Sequence, residues 1–390
     1  MREVRGLRPG ELDQVSVVVG EAFHDDDAGW LREQLVNEVG YGEWWQTRVA
    51  LEHGRMVASV QLLPRLVRYG DALLPMLGVG NVSTLPDCQG QGHASALLAD
   101  AAALGADRGY PLGMLFTDIA DFYRRLGWES VSIPICAYRP LPGPGPGAPA
   151  VRNVAPGDLA GEDLDRLAAL HERTNAFCTG PMVRSPAYWR HVAGRRLERY
   201  RVLLAGSAYL ALTPLCEPDA LGLLEVGCPP GAEGDLKVLL AEASRLALAS
   251  GTTVLLSPGP AVIPSRLWEG VGEPASVPPE HAHQPVMFAV FDWPQLLQYA
   301  RPELTRRWQA AGCPPLDLTT SHRGRTARLR WVGERLDIGE GEGAPLELSD
   351  SQAVALYFGQ WPALPELAAD DRLRALFTGQ PFHFWPLDGF

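Results

Sequence analysis

Residues 82–98 read VSTLPDCQGQGHASALL and decide the fold of the surrounding region. The apolar run ends at Leu85, and Pro86 cannot continue a central strand, so a strand should end here. After a glycine-rich turn, the Ala- and Leu-rich run over 94–108 predicts a helix that stops before a glycine. A helix N-terminus presents unpaired backbone N–H groups and the positive end of a dipole. The stretch therefore predicts a strand, a loop and a helix that bind an anion.

Gly90 and Gly92 allow the loop to turn tightly and to approach a phosphate closely. A dinucleotide-binding fingerprint would need a third glycine, and a phosphate-binding P-loop would need a lysine; the loop has neither. A glycine-rich turn between a strand and a helix is also common as a purely structural feature. The loop by itself leaves the functional and the structural interpretation open.

A second segment, DFYRRLGW over 121–128, follows the loop after one helix and one strand. Residues 120–126 are predicted to form a short helix that ends at Gly127, because glycine is the common residue at a helix stop. A tyrosine phenol has a pKa of about 10, so Tyr123 is expected to be protonated at neutral pH and able to donate a proton. The alternative is an aromatic side chain that only packs in the core.

Together the two segments resemble motifs of the GNAT acetyltransferase superfamily. Gln89, Gly92 and Ala94 occupy the defined positions of its pyrophosphate motif, Arg/Gln-x-x-Gly-x-Gly/Ala, and 121–128 resembles its Phe-Tyr-x-x-x-Gly-Phe/Tyr signature at the usual spacing. The resemblance implies that Tyr123 is the general acid toward a departing thiolate. It also implies acetyl-CoA, with its pyrophosphate on the loop amides and its pantetheine beside the preceding strand. The implied cofactor-binding residues are Ser83, Thr84, Leu85, Gln89, Gly90, Gln91, Gly92, His93 and Ala94.

The loop departs from the family pattern in its charge. Gln89 stands where arginine is commoner, and no Arg or Lys occurs between Gln89 and Ala94. Phosphate affinity within the loop should therefore depend on backbone amides and on the helix dipole.

The length of 390 residues predicts two or three domains. A Pro- and Gly-rich run over 140–149 is typical of a linker, and a strand over 131–138 is expected to close the domain before it. The strand–loop–helix–strand order of 78–116 returns over 221–256, which predicts a diverged internal duplication. The expected fold class is α/β with mixed α+β sheets, in tandem GNAT folds followed by a third domain. The expected domains are 1–139, 140–284 and 285–390.

The whole chain resembles the Eis-type acetyltransferases. That resemblance implies a catalytic GNAT domain, a degenerate second GNAT domain, a sterol-carrier-protein-like third domain and a hexamer. In the second domain the equivalent turn reads CPPGAEG over 228–234, where prolines remove amides and Glu233 would face phosphate. The resemblance also implies that the terminal carboxylate of Phe390, with Asp388 nearby, is the base toward the amine. The alternative is a frayed chain end, although 382–390 is unusually apolar for one.

Composition limits the choice of ligands and partners. The net charge is −12 without a basic patch, which argues against nucleic acid and favours cationic amines. Asp25, Asp26 and Trp30 follow the first predicted helix, where the family places substrate-pocket residues; a solvated acidic loop is the alternative. Six scattered cysteines predict neither a zinc site nor disulfides, and the histidines indicate no other metal. No signal peptide or membrane-length apolar run is recognised, so the cytoplasm is expected.

Three functional hypotheses follow. The first is an acetyl-CoA-dependent N-acetyltransferase that acts on a small cationic amine, such as an aminoglycoside-like molecule, a polyamine or a lysine side chain, by direct attack in a ternary complex. The second is a non-catalytic acyl-CoA- or lipid-binding protein. The third is a scaffold that uses its duplicated domains for assembly. The loop and Tyr123 favour the first.

Overall fold

A computed structural model describes most of the chain: residues 2–23, 43–142, 150–176, 178–214, 220–277, 286–341, 344–379 and 382–389. These residues form two compact units. The first contains the described parts of 1–131 and 285–380, and the second contains those of 132–284 and 381–389.

The strands in chain order are β1 Arg2–Gly6, β2 Thr47–Glu52, β3 Arg55–Tyr69, β4 Ala72–Thr84, β5 Leu112–Phe116, β6 Glu129–Val131, β7 Ile135–Pro140, β8 Arg152–Val154, β9 Thr179–Met182, β10 Arg201–Ala205, β11 Ala208–Pro214, β12 Ala220–Gly227, β13 Val254–Pro258, β14 Gly272–Ala275, β15 Val286–Val290, β16 Asp317–His322, β17 Arg325–Val332, β18 Arg335–Gly339 and β19 Leu346–Leu348. The α-helices are α1 Leu12–Phe23, α2 His93–Asp107, α3 Ala120–Arg124, α4 Gly161–Asn175, α5 Pro186–Tyr188, α6 Gly194–Leu197, α7 Glu233–Ala249, α8 Trp293–Ala310, α9 Asp350–Tyr357 and α10 Asp371–Leu376. A π-helical turn, Trp189–Ala193, joins α5 to α6.

The first unit contains a mixed sheet with the strand order β1-β2-β3-β4-β5-β15-β6. β4 and β5 are parallel and are connected through α2, because a parallel pair needs a crossover. The Ala- and Leu-rich sequence of α2 explains its position, since Leu97, Leu98 and Ala101 are buried in one core with Val60 and Leu77 of the sheet. The N-terminus of α2 consequently follows the carboxyl end of β4.

Two strands, β7 and β15, pair in sheets outside the domains to which the sequence analysis assigned them. β15 pairs antiparallel with β5 and β6 in the first unit, and β7 pairs antiparallel with β13 and β14 in the second. The single strand expected over 131–138 is therefore two strands: β6 ends at Val131 in the first unit, and β7 lies in the second. All five residues of β15 are buried, which an apolar strand between two neighbours requires. Strand pairing thus crosses the expected boundaries at 139/140 and 284/285, and the three-domain division stays a prediction.

The second unit contains a sheet with the order β14-β7-β13-β12-β11-β10-β8. Its β12 and β13 are parallel and are connected by α7, which is the same crossover as β4-α2-β5. Leu236, Leu239 and Leu240 of α7 are buried in the core of this sheet. The repeated arrangement is compatible with the expected duplication.

The chain after β15 adds a helix and a smaller sheet to the first unit. Asp292 is the N-cap of α8, and its carboxylate accepts a hydrogen bond from the Gln295 N–H at 3.1 Å. The helix buries Trp293, Leu297 and Trp308 and packs against β4, β17 and β18. The sheet has the order β18-β17-β16-β19, in which β16 and β19 are parallel.

Helices that combine the length and the apolarity needed to cross a membrane do not occur in the described ranges. The described cysteines are free thiols: Cys88, Cys136, Cys178, Cys228 and Cys313. Within the same ranges, His, Cys, Asp and Glu side chains form no group of three that could hold a metal ion.

Candidate active site

A β-bulge redirects the end of β4. β4 pairs with β5 only over Met76–Gly78, whereas it continues along β3 as far as Thr84. Between the pairs Gln61↔Gly80 and Ser59↔Ser83 the β4 strand has one extra residue. Asn81 occupies this bulge with φ 48°, and its side-chain amide donates to the side-chain oxygen Oε1 of Gln61 at 2.7 Å. The last residues of β4 therefore lie beyond the edge that β5 covers.

The glycine-rich loop has the backbone conformation that its sequence predicts. Gly90 and Gly92 have φ angles of 73° and 78°, which favour glycine. α2 begins at His93, one residue before the expected start, with Gly92 as an N-cap that offers no side-chain acceptor. The first intrahelical bond runs from the Ala96 N–H to the Gly92 carbonyl, so the preceding N–H groups have no acceptor within the helix. A methyl group added at Gly90 would meet no atom within 4 Å, so this side of the loop is open.

The end of β4, the loop and α3 surround a groove of about 510 Å³. Its lining residues are Ala22, Phe23, Val82, Ser83, Thr84, Cys88, Gln89, Gly90, Gly92, His93, Ala94, Ser95, Ile119, Phe122, Tyr123 and Arg125. Seven of the nine residues expected to bind the cofactor are in this set, together with Tyr123. Leu85 is instead buried in the core, and Gln91 is exposed with its amide 3.5 Å from the Asp87 carbonyl.

Tyr123 lies in the wall of the groove on the short helix α3. Its ring is buried and meets Phe122 edge to face at 5.0 Å and Trp128 at 6.4 Å between ring centroids. Its carbonyl accepts from the N–H groups of Leu126 and Trp128, across the turn made by Gly127 at φ 84°. Burial raises the pKa of Tyr123 to about 12, because the phenolate is poorly solvated there. The phenol is therefore neutral at physiological pH and remains a proton donor.

Arg125 gives the groove a cationic side chain that the sequence analysis missed. It is exposed and lines the groove, and it forms no ion pair with the carboxylates of the described residues. Its neighbour Arg124 is bound to Asp121 at 2.6 Å. The Arg-Arg pair in 121–128 was the available signal, but only the structure shows which of the two faces the groove.

The remaining predicted site residues, Asp25, Asp26, Trp30 and Phe390, lie outside the described residues. The residues just before Phe390 are packed inside the second unit. The Arg184 guanidinium, fully buried, binds Asp388 at 2.7 Å and Glu225 at 3.0 Å. The Arg196 guanidinium donates to the carbonyls of Leu387 and Gly389, each at 2.6 Å. Residues 382–389 are thus not a frayed end.

The second unit offers a poor anion site at α7, the helix that corresponds to α2 of the first unit. α7 begins after Ala232, and its first turn carries Glu233 and Asp235. Pro229 and Pro230 in the turn before it have no N–H group to donate. The Asp235 carboxylate accepts from the Ser207 N–H at 2.7 Å. Acidic side chains thus occupy the start of α7, whereas the first turn of α2 in the first unit carries none, and negative charge there disfavours an anion.

Residues 3–131 match the family described as the Acetyltransferase (GNAT) domain. Over these residues the chain is similar to a GNAT acetyltransferase domain. The match includes β1 to β6, the loop and Tyr123. The GNAT family uses acetyl-CoA. Comparison with curated protein sequences gave no match.

Solved structures share the fold over the whole chain. A GCN5-related N-acetyltransferase from Kribbella flavida is 18% identical, with a TM-score of 0.74, and the match covers 100% of this chain and 98% of that one. One from Anabaena variabilis is 15% identical, with a TM-score of 0.72 and full coverage of both chains. Eis1 from Mycobacterium abscessus is 17% identical, with a TM-score of 0.68 and full coverage of both. At these identities the likeness establishes the mixed α/β fold.

Proposed function

We propose that the chain transfers acetyl from acetyl-CoA to a primary amine of a small cationic molecule, by direct attack in a ternary complex. One observation carries the proposal: a single groove joins an uncapped helix N-terminus to a tyrosine that burial keeps neutral. The first part suits a diphosphate, and the second suits a thiolate leaving group. Aminoglycoside-like molecules, polyamines and lysine side chains are the substrate classes we propose.

The groove fits coenzyme A by its own geometry. Gly90, in its left-handed conformation, leaves open space beside the loop, and the N–H groups of His93 and Ala94 at the helix start have no intrahelical acceptor. These groups and Arg125 would hold phosphate oxygens. Ser83 and Thr84 would flank the pantetheine, since β5 does not cover β4 at that point. Acetyl-CoA would supply the activated acetyl group.

The chain's own residues then have two tasks. Binding both reactants in one groove replaces a bimolecular encounter by an aligned one. The Tyr123 hydroxyl gives its proton to the sulfur that leaves as the C–S bond breaks, and it recovers a proton from solvent. The ammonium first loses one proton to a base, for which the family resemblance proposes the carboxylate of Phe390. The neutral amine nitrogen then bonds to the acetyl carbon and loses a second proton to solvent as the amide forms. Asp25, Asp26 and Trp30 are proposed to bind the amine.

Three broader expectations accompany this proposal: a degenerate GNAT fold for the second unit, a sterol-carrier-protein-like fold for the chain after 285, and a cytoplasmic hexamer. The repeated crossover in the second unit supports the first of these. A non-catalytic acyl-CoA or lipid binder is the second candidate function. It is favoured only if the groove binds coenzyme A and no amine accelerates thiol release.

The test is release of coenzyme A thiol from acetyl-CoA with a panel of amines. Replacement of Tyr123 by Phe removes one hydroxyl from a packed ring, and kcat should fall by about 100-fold while the Kd for coenzyme A changes less than about twofold. Tyr110→Phe is the matched control, because Tyr110 lies outside the groove lining. An unchanged kcat in Tyr123→Phe would remove Tyr123 from the mechanism.

A further inference from the structure

The hairpin between β16 and β17 has an arginine at a turn position that favours other residues. His322 pairs with Arg325, so Arg323 and Gly324 form a two-residue turn, with φ angles of 51° and 73°. Hairpin turns with a left-handed backbone at both positions favour Asn-Gly, because most other side chains oppose that conformation. Arginine therefore costs conformational energy at this position, which points to a role for its side chain.

The Arg323 guanidinium lies against the turn that follows α3. Its Nη2 donates to the Leu126 carbonyl at 3.4 Å. A Cβ added at Gly127 would overlap the same nitrogen and would lie 2.8 Å from a carboxylate oxygen of Asp350. Gly127 is buried with φ 84°, so the side chain it lacks leaves room for these two charged groups.

Asp350 holds the guanidinium in this position. Its Oδ1 accepts hydrogen bonds from His322 Nε2 at 2.9 Å and from Arg323 Nε at 2.7 Å. These hydrogen bonds, first that of His322, lower the pKa of Asp350 to about 2, so the carboxylate is charged at neutral pH. Asp350 is the first residue of α9, where the helix dipole favours a carboxylate, and α9 packs against β15 and β6. The ion pair is therefore anchored on the sheet that contains β5.

The same turn determines where Tyr123 lies. Leu126, whose carbonyl accepts from Arg323, donates its own N–H to the Tyr123 carbonyl at 2.9 Å, and the Trp128 N–H donates to it at 3.2 Å. The Trp128 ring meets the Tyr123 ring at 6.4 Å and the Phe291 ring at 5.8 Å between centroids. Movement of the turn would therefore move the phenol. A misplacement of about 1 Å in an active site can cost about 100-fold in rate.

We propose that Arg323, held by Asp350, is a positioning residue that fixes the turn 126–128 and thereby places the Tyr123 hydroxyl at the leaving sulfur. This inference rests on the proposed function, because it takes Tyr123 as the proton donor to the thiolate. Arg323 is absent from the lining of the groove that contains Tyr123, so it acts through the turn and exchanges no proton.

Arg323→Asn separates positioning from stability. Asparagine suits the φ angle of this turn, and a half-exposed ion pair contributes little to stability. The urea midpoint of the variant should therefore equal or exceed that of the parent. Its kcat at saturating acetyl-CoA, measured by thiol release with the amine that the parent uses fastest, should nevertheless fall by about three- to tenfold.

The decisive measurement repeats this substitution in the Tyr123→Phe background. No hydroxyl needs positioning there, so Arg323→Asn should lower kcat by less than about 1.5-fold. A loss of folded protein would instead lower kcat by the same factor in both backgrounds. Should Arg323→Asn fail to fold, Arg323→Gly, which also suits this φ angle, replaces it.

Two further variants test the ion pair. Asp350→Asn should lower kcat by about the same factor as Arg323→Asn, and the double variant should be no slower than either, because the two residues act as one unit. Arg325→Gln is the matched control. Arg325 belongs to the same hairpin but pairs with Asp292 at 3.0 Å, so its replacement should change kcat by less than about 1.5-fold.

The outcomes are distinct. A parent-like kcat in Arg323→Asn, with Tyr123→Phe slow, would overturn this inference and leave the proposed function standing. Equal slowing by Arg323→Asn in both Tyr123 backgrounds would have the same meaning, and so would an unchanged kcat in Tyr123→Phe with acetyl transfer by the parent. No thiol release by the folded parent with any amine would overturn both.

Discussion

Tyr123 and Arg125 lie two residues apart, and burial gives them different roles. The Tyr123 ring packs between Phe122 and Trp128, so its phenol is poorly solvated and keeps its proton. Arg125 remains exposed, so its charge is hydrated and available to an anion. The groove therefore offers a neutral acid, Tyr123, that can protonate a thiolate, and an unpaired cation, Arg125, that can bind a phosphate.

Arg125→Gln should weaken coenzyme A binding by about three- to tenfold, because Arg125 is the exposed cation among the groove-lining residues. Arg124→Gln is the matched neighbour, since Arg124 is bound to Asp121 and is absent from the groove lining. Arg124→Gln should change the affinity for coenzyme A by less than about twofold. The affinity of the parent should also fall more steeply with salt than that of Arg125→Gln. Equal losses in both variants would contradict the assignment of Arg125 to the phosphates.

Helices and strands were predicted well where the sequence pattern is local. α2 begins one residue before its expected start, and the short helix before Gly127 is present. The partners of β7 and β15 could not be predicted, because an apolar strand pattern specifies burial but not which neighbour completes the sheet. The groove shows the same limit of sequence analysis. The motif predicted Tyr123, but the orientation of α3 was needed to show that Arg125 lines the groove.

The bulge in β4 depends on a left-handed backbone at Asn81, with φ 48°. Asn81→Gly and Asn81→Ala both lose the hydrogen bond to Gln61, but only alanine opposes this φ. Asn81→Ala should therefore be less stable than Asn81→Gly by about 1 kcal/mol, after the larger chain entropy of unfolded glycine is allowed for. Urea denaturation of the two variants measures the difference. Greater stability of the alanine variant would show that the bulge relaxes.

At the level of the whole chain, residues far apart in sequence complete the second unit. Residues 382–389 supply Trp385, whose indole N–H donates to Asn175 at 3.1 Å, and Leu387, which is buried in an apolar cluster with α4 residues. They also supply Asp388 to the buried cluster of Arg184 and Glu225. The apolar composition of this segment indicated packing, but the ionic cluster depends on residues some 160 to 200 positions away in the sequence.

Arg184→Met tests this cluster, because it leaves two buried carboxylates without their cation. The free energy of unfolding should fall by about 3–5 kcal/mol at neutral pH. Burial already raises the pKa of Glu225, and loss of Arg184 removes the charge that opposes this rise. A carboxyl whose folded pKa is raised stabilises the fold below its unfolded pKa and loses that contribution as pH rises through its folded pKa. The loss of unfolding free energy in Arg184→Met should therefore be larger at about pH 8 than at about pH 5, as urea denaturation would measure.

The control is Arg190→Met, at an exposed arginine of the neighbouring helical turn. It should change the free energy of unfolding by less than about 0.5 kcal/mol at both pH values. A penalty independent of pH would mean that the two carboxylates find other partners, and that the cluster is not what fixes residues 382–389 in the second unit.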